Sequence, residues 1–487
     1  VSGVRRALAW SLAERYASLV LTLGSSMLIA RLLTPAEIGV YSLCAAAVAI
    51  ATMVREFGVT EYIVQERELD DTKLRGAFAV AFTTAWGIGT LLWLARSPLA
   101  AWYEEPRVAE LLAILCLNFV LLPFSSPAYA LLNRAVALRP IFVIQLCATV
   151  MTALVSVGLA WVGCGAASLA WGALAGVVAQ IVAVGFYRPR SSFLWPSFRA
   201  AGAVFRYGAY QMASRVSDTL TGNAHEFIIA RQFDFTAVGL FSRAKGLVDL
   251  FQANVTTAIT RVATPTLARA HREQQGTATL VEAYARGTAL FAVLAWPFFG
   301  FLALAAPEII RVLLGPQWGA AVPLAQALAV GMLPSALFAL GGSVLAALGQ
   351  VKRRLQVSLW YGPLHVLALL LAAHHGLLAM AWVWLLTTLV IWALYVGHLC
   401  QVLHARPGAL YRGTWASLPV ALASVAVQAA ALAALRAAGS PALLTLLGTA
   451  VAGALAWAAA ARGLRHPAAG ELAGLLQRLW PARTGTR

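Results

Sequence analysis

The chain has 487 residues, 61% of them hydrophobic and only 11% charged, with a mean hydropathy of +0.77. No soluble core needs that much apolar surface, so composition alone makes this a polytopic membrane protein. Its formal net charge of +17 is accounted for by contact with anionic lipid on one membrane face, which leaves no call for nucleic acid as a partner.

Apolar runs of about 20 residues, each able to cross roughly 30 Å of hydrocarbon as a helix, lie at 9–31, 38–57, 76–95, 110–131, 141–162, 165–187, 207–231, 238–261, 286–306, 322–348, 356–374, 376–399, 415–435 and 441–461. They predict an all-α polytopic membrane protein with about 14 transmembrane helices. Period-two alternation over ten-residue segments is absent, which excludes a β-barrel. The first run carries Glu14 and Arg15 and leads straight into a second, so it reads as a retained span and not as a cleaved signal peptide.

A repeat organises these spans. Ile29-Ala30-Arg31 followed by Gly39-Val40-Tyr41-Ser42 returns as Ile229-Ala230-Arg231 followed by Gly239-Leu240-Phe241-Ser242. Upstream, Arg15, Ser18, Thr22 and Ser26 correspond to Arg215, Asp218, Gly222 and Glu226, and each set keeps to one helix face. Six spans separate the copies, so both halves enter the membrane in the same direction and are related by an axis along its normal. The expected organisation is an N-terminal six-helix lobe at 1–187, an interfacial linker at 188–206, a C-terminal six-helix lobe at 207–399, two additional helices at 400–461 and a tail at 462–487. In the tail, Leu472, Leu475, Leu476, Leu479 and Trp480 could form one face of a short interfacial helix.

The basic residues orient the bundle. With the N-terminus inside, 25 Lys and Arg fall in inner segments and six in outer ones, which predicts both termini cytoplasmic. Cys44, Cys116, Cys147, Cys164 and Cys400 show no CxxC or His-paired spacing and are expected as buried thiols. No metal site is expected.

Charge at bilayer depth is costly and normally faces a partner or a water-filled cavity. It is concentrated in the first two spans of each half: Glu14 and Arg15, Arg55 and Glu56, then Arg215, Asp218, His225 and Glu226, then Arg243, Lys245 and Asp249. Those four helices are therefore expected to line a shared cavity. A structural reading competes at several positions. Arg31 and Arg231 suit snorkelling at outer ends, Arg55 and Glu56 suit a boundary pair, and Lys245 and Asp249 suit an i, i+4 salt bridge. Arg243 points roughly opposite to Lys245 on an ideal helix. Function is favoured for Arg215 with Asp218. His365, His374 and His375 are expected at a helix end or loop. Arginines in a cavity suit an anionic ligand, phosphate above all, because guanidinium offers fork-shaped donors and stays charged. No Walker motif is present, so ATP hydrolysis is not the direct drive.

Over essentially its whole length the chain resembles the polysaccharide transporters, or Wzx-type oligosaccharide flippases, of the multidrug/oligosaccharidyl-lipid/polysaccharide exporter superfamily. The resemblance rests on Ala30-Arg31-Leu32-Leu33-Thr34-Pro35-Ala36-Glu37-Ile38-Gly39-Val40-Tyr41 and on Leu240-Phe241-Ser242-Arg243-Ala244. Ile259-Thr260-Arg261-Val262-Ala263-Thr264-Pro265 and Leu313-Leu314-Gly315-Pro316-Gln317-Trp318 support it. It implies two pseudo-symmetric six-helix lobes around a central cavity plus two C-terminal helices. It also implies translocation of an undecaprenyl-pyrophosphate-linked oligosaccharide to the outer leaflet of the bacterial inner membrane, by alternating access, for lipopolysaccharide or exopolysaccharide biosynthesis. Arg15, Arg55, Arg215 and Arg243, joined by Lys245, become the substrate-binding candidates, and Asp218, Glu226 and Asp249 the cation-coupling candidates. No cofactor is implied; coupling to a proton, a sodium ion or the membrane potential is. The implied partners are the lipid-linked oligosaccharide, membrane lipids, and a polysaccharide polymerase and glycosyltransferases. Two alternatives stand beside this non-enzyme reading. A drug/cation antiporter of the same superfamily would need an acidic, aromatic cavity where arginines dominate here. A membrane glycan polymerase or ligase would need a substantial catalytic outer loop, yet Arg96 to Ala109 and Pro307 to Ala321 are short.

Overall fold

A computed structural model describes residues 2–56, 59–66, 68–187, 196–198, 201–257, 259–260, 267, 269, 273 and 276–470, with the side chains of 2–16, 61, 65, 201, 203–215, 253 and 351 outside that description. The expected tail helix at 472–480 and most of the linker at 188–206 lie outside it too. Among the described residues every regular element is helical, and eleven helical stretches are long and apolar enough to cross a membrane. The chain divides into two compact units, Val1–Ser242 and Arg243–Arg487.

The first unit runs through α1 (Ser2–Leu32), α2 (Pro35–Glu56), α3 (Val59–Gln65), α4 (Asp71–Trp102), α5 (Arg107–Leu121), α6 (Ser126–Arg134), α7 (Leu138–Trp161), α8 (Ala167–Tyr187) and α9 (Ala201–Gln232), and takes in the start of α10 (Phe235–Phe251). Helix α9 opens the second copy of the repeat, yet it packs on α2, α3 and α4. The repeat itself makes this contact. A Cβ on Gly39 would collide with the Phe235 carbonyl and one on Gly239 with the Pro35 carbonyl, so only glycine lets the two backbones approach this closely. One turn on, the Ser42 and Ser242 hydroxyls share a hydrogen bond of 2.9 Å. Helices α7 and α8 pack closely for a similar reason, since Gly172 and Gly176 give way to Ser156 and Thr152.

Short α3 lies against α6, with Val59, Tyr62 and Ile63 buried beside Phe78 and Ala130. Arg134 donates to the Ile63 and Glu66 carbonyls, both at 2.6 Å, and satisfies the end of α3. Asp70 caps α4 by accepting from the Lys73 amide at 2.7 Å, while the Lys73 ammonium bonds Glu66 at 2.9 Å. That bond raises the Lys73 pKa above its ordinary value.

The second unit continues from α10 through α11 (Gly276–Leu304), α12 (Ala306–Leu313), α13 (Val322–Gly331), α14 (Gly341–Ala347), α15 (Val351–Ala373), α16 (Leu377–Leu403), α17 (Pro407–Leu410), α18 (Arg412–Ala437) and α19 (Ala442–Gly463). Helix α11 packs on α18 and α18 on α19. Polar side chains tie these three together: Ser417 donates to Ala289 O at 2.9 Å, Trp457 to Val293 O at 2.7 Å and Ser424 to Gly453 O at 2.9 Å. Leu447, Val451 and Leu455 form an exposed i, i+4, i+8 stripe on α19, the apolar face a span turns to lipid.

Both units contain a broken helix, and both breaks are repaired alike. In the first, α5 passes through a 3₁₀ turn at Leu122–Phe124 into α6; in the second, α13 passes through a 3₁₀ turn at Leu333–Leu337 towards α14. Leu122-Pro123 and Leu333-Pro334 set the breaks, because proline has no N–H for the helical ladder. Carbonyls freed at membrane depth must find donors. Trp86 Nε1 donates to Val120 O at 3.3 Å, and Trp296 Nε1 donates to Leu333 O at 3.0 Å. The second break draws two further donors, Thr388 to Gly331 O at 2.6 Å and Tyr284 to Leu337 O at 2.9 Å.

Of the cysteines, Cys44 and Cys116 are buried as expected, but Cys147 and Cys164 are exposed. Cys147 lines the open apolar groove between α7 and α8, and Cys164 lies in the turn before α8.

Candidate functional site

The expected site residues separate into three groups. Arg15 on α1 and Arg215 on α9 have side chains outside the described set. A second group is engaged by near neighbours. The Lys245 ammonium meets Asp249 at 2.6 Å in the expected i, i+4 bridge. Arg55 is buried at the end of α2, with Nη2 3.4 Å from Glu56 and Nη1 3.4 Å from the Ser126 hydroxyl on α6. Arg243 is partly buried, and α10 is regular through Phe251, so Arg243 and Lys245 do stand about 200° apart.

The third group lies on the second half of α9. Asp218 is exposed, whereas Glu226 is 7% exposed and its Oε1 lies 3.5 Å from Nε2 of buried His225. The His225 ring rests on Phe241 at 5.2 Å. The other carboxylate oxygen of Glu226, Oε2, has no hydrogen-bond partner among the described residues.

The structure adds a site that hydropathy did not reveal. Within the second unit a polar cavity of about 640 Å³ opens beside the helix break. Gln252, Thr256 and Thr260 form one wall, because α10 passes into a π-helical turn at Gln252–Thr256. Such turns widen a helix and re-aim its side chains. Ser335 on the 3₁₀ turn, Ser343 on α14, Arg354 on α15 and Tyr395 on α16 complete the polar lining, and the Phe338 ring stacks on Tyr395 at 5.9 Å with planes 11° apart. A Cβ on Gly342 would sit 3.3 Å from the Tyr395 hydroxyl and 3.8 Å from Arg354 Nε, so the space between phenol and guanidinium depends on a glycine. Its volume is that of a small-molecule site. Hydroxyls, an amide, a guanidinium and an aromatic face are the chemistry that holds sugars and phosphate.

Arg354 is one of the 25 basic residues of the inner segments that orient the bundle, and hydropathy passes over the cavity it lines. The signal was there. Gly331, Pro334 and the pair Gly341-Gly342 interrupt one apolar run, which in transporters points to a binding site. His365 also departs from expectation. It lies inside α15, eight residues before its end and 1% exposed, because Thr387 and Trp384 of α16 receive the ring. His374 and His375 do lie at the end of α15.

The model of the polysaccharide biosynthesis protein family matches residues 28–323, more than half the chain, from the first copy of the repeat to the start of α13. The chain belongs to the polysaccharide biosynthesis protein family. Among relatives in this family, the teichuronic acid biosynthesis protein TuaB of Bacillus subtilis is 24% identical over 70% of this chain and 70% of its own length. The succinoglycan biosynthesis transport protein ExoT of Rhizobium meliloti is 26% identical over 67% and 66%. The lipopolysaccharide biosynthesis protein WzxC of Escherichia coli is 22% identical over 72% and 70%. The fold is that of the lipid II flippase MurJ in an inward closed conformation, at a TM-score of 0.73 and 12% identity over 93% of this chain and 98% of that one. It is also that of an inward-facing multidrug resistance transporter of the MATE family and MOP superfamily, at 0.65 and 13% over 80% and 95%. The family member described here thus has many apolar helices able to cross a membrane and, in its second unit, a polar cavity at a helix break.

Proposed function

We propose that this protein is a flippase. It carries an undecaprenyl-pyrophosphate-linked oligosaccharide from the inner to the outer leaflet of the bacterial inner membrane, for assembly of a surface or secreted polysaccharide. The polyprenyl chain stays in the bilayer, so the protein has only to shelter the charged, hydrated headgroup. The observation that carries this reading is the polar cavity at the broken helix, where Arg354, Gln252 and Tyr395 face one another beside the Phe338–Tyr395 stack. A guanidinium there suits a pyrophosphate oxygen or an acidic sugar, and the aromatic face suits a sugar ring. Membership in the polysaccharide biosynthesis family supports the same substrate class.

Arg15, Arg55, Arg215 and Arg243 are proposed as further contacts for the anionic headgroup, with Lys245 held in its bridge to Asp249 until substrate competes for it. No covalent bond is made or broken, so the protein acts as a transporter and not as a polymerase or ligase. An arginine as the charged group of the cavity favours an anionic ligand over the cations of a drug antiporter.

The test is in cells lacking their own copy of the protein. Expression of the wild type is expected to clear lipid-linked oligosaccharide from the inner leaflet and restore surface glycan; Arg354→Ala, inserted to the same level, is expected to leave the intermediate in place. Full export by Arg354→Ala would remove the cavity from the transport path.

A further inference from the structure

We propose that a second polar cavity, at the basic end of the second unit, binds the headgroup of an anionic phospholipid of the inner leaflet, phosphatidylglycerol in class. The cavity has a volume of about 960 Å³ and shares no lining residue with the one beside Arg354. Helices α11, α16 and α18 wall it, and Pro467, past the end of α19, joins the lining.

Its chemistry is divided. Glu282 and Arg286 of α11, His404 at the end of α16 and Arg412 at the start of α18 are exposed polar groups, whereas Ala285, Ala289 and Leu403 in the same lining are buried. A close approach of two helices holds the arginines across the cavity. Arg412 precedes Gly413, and a Cβ on that glycine would lie 3.0 Å from the carbonyl oxygen of Ala285, the residue before Arg286. Two arginines against one carboxylate leave one unit of positive charge, which one phosphodiester balances. Guanidinium groups give its oxygens fork-shaped donors, and the Glu282 carboxylate accepts from the glycerol hydroxyls.

Depth fits the same ligand. The apolar runs of the three helices are 286–306, 376–399 and 415–435, so Arg286, His404 and Arg412 all stand within five residues of a span end, the level of lipid headgroups. This end of the unit also carries Lys352, Arg353, Arg406, Arg462 and Arg465, while the opposite end carries Arg311 and Arg436, and Arg436 is taken up by Glu308 at 2.7 Å. The basic end is the inner one by the positive-inside rule. Anionic lipids of the cytoplasmic leaflet place their headgroups in such basic pockets between helices. Further along α18, Trp415 and Leu422 are 67% and 59% exposed, and they lie about 60–80° around the helix from Arg412. An indole at this depth suits the interface, and the apolar strip beyond it gives the acyl chains a face to follow.

The inference goes beyond the transport reading, and its test requires no transport. Native mass spectrometry of the delipidated full-length protein in detergent counts bound dioleoyl phosphatidylglycerol. One lipid is expected to be retained by the wild type, and its affinity to fall about tenfold in Arg412→Gln and in Arg286→Gln, each of which removes a charged donor. Arg462→Gln, which removes an exposed arginine of the same end outside the lining, is expected to leave the affinity unchanged. Equal weakening by all three variants would assign the affinity to the basic surface at large and overturn the proposal. So would phosphatidylcholine bound as tightly as phosphatidylglycerol. Competition by inorganic phosphate at matched concentration would make the ligand a free anion, and displacement by a lower concentration of undecaprenyl pyrophosphate would make the cavity part of the substrate path; either result overturns the proposal.

Discussion

The hydroxyls of Ser42 and Ser242, which hold the same place in two copies of a sequence repeat, hydrogen-bond to each other at 2.9 Å. The flanking glycines explain how. Gly39 and Gly239 each face a carbonyl of the other copy, those of Phe235 and Pro35, at a separation that admits no Cβ. The repeated motif is therefore a contact between its own two copies, a reciprocal one like those at two-fold interfaces between subunits.

Gly39→Ala and Gly239→Ala are expected to destabilise the first unit by about 1–3 kcal/mol each, as overpacking does. Ser42→Ala and Ser242→Ala should cost less, about 0.6 kcal/mol, the usual scale for such bonds between membrane helices. Thermal unfolding of purified protein gives both, and the double serine variant should lose no more than either single one. Additive losses would show that the two hydroxyls do not act on each other.

Trp296→Phe keeps the ring but leaves the Leu333 carbonyl without the indole donor. A buried unsatisfied carbonyl costs about 1–3 kcal/mol. The same loss is expected for Thr388→Val at Gly331 and for Tyr284→Phe at Leu337. Trp86→Phe should cost less, since its 3.3 Å bond is the longest of the four. Melting temperatures of the four variants in one detergent check the order.

Gly342→Leu should block transport while leaving the fold intact. Leucine favours helix over glycine by about 0.8 kcal/mol, and its side chain would enter the space between Arg354 and Tyr395. Arg354→Ala is expected to raise KM for the anionic substrate more than it lowers turnover, because it removes binding and not motion. Export assays at matched protein levels distinguish the two.

His466 sits just past α19 and holds it to α11 and α18. Ala468 N donates to its Nδ1 at 3.2 Å, so Nε2 carries the hydrogen that faces the Ser417 hydroxyl at 2.9 Å. Burial lowers its pKa below the ordinary 6.5. The unfolded chain thus takes up the proton first as pH falls. The contribution of His466 is complete above about pH 6.5 and declines as pH drops towards and through the folded pKa. Hydrogen exchange of residues 464–470 should accelerate over that window in the wild type, with no such pH step in His466→Asn.

Hydropathy made the spans legible, since burying backbone in lipid demands long apolar helices whatever else the chain does. The repeat made Ser42 and Ser242 correspond, though not touch. Lys245 and Asp249 were legible because i, i+4 pairing is local. The cavity was not, because hydropathy averages over the interruption at Leu333-Pro334 and sees one run where the backbone makes a helix, a 3₁₀ turn and another helix. Arg354 looked like a topology signal because its neighbours are Lys352 and Arg353, and only the Tyr395 and Gly342 contacts place it beside a cavity. His365 looked like a terminal residue because His374 and His375 follow it, whereas α16 supplies the partners that bury it.

The most direct measurement is flipping by purified protein in liposomes. A labelled undecaprenyl-pyrophosphate oligosaccharide is placed in one leaflet, and its appearance in the other is followed for wild type, Arg215→Ala, Arg354→Ala and Gly342→Leu. The account predicts protein-dependent exposure in the wild type and its loss in the variants. Exposure that is equal in all four proteins, or a wild type that elongates or transfers the glycan without moving it, would contradict the account.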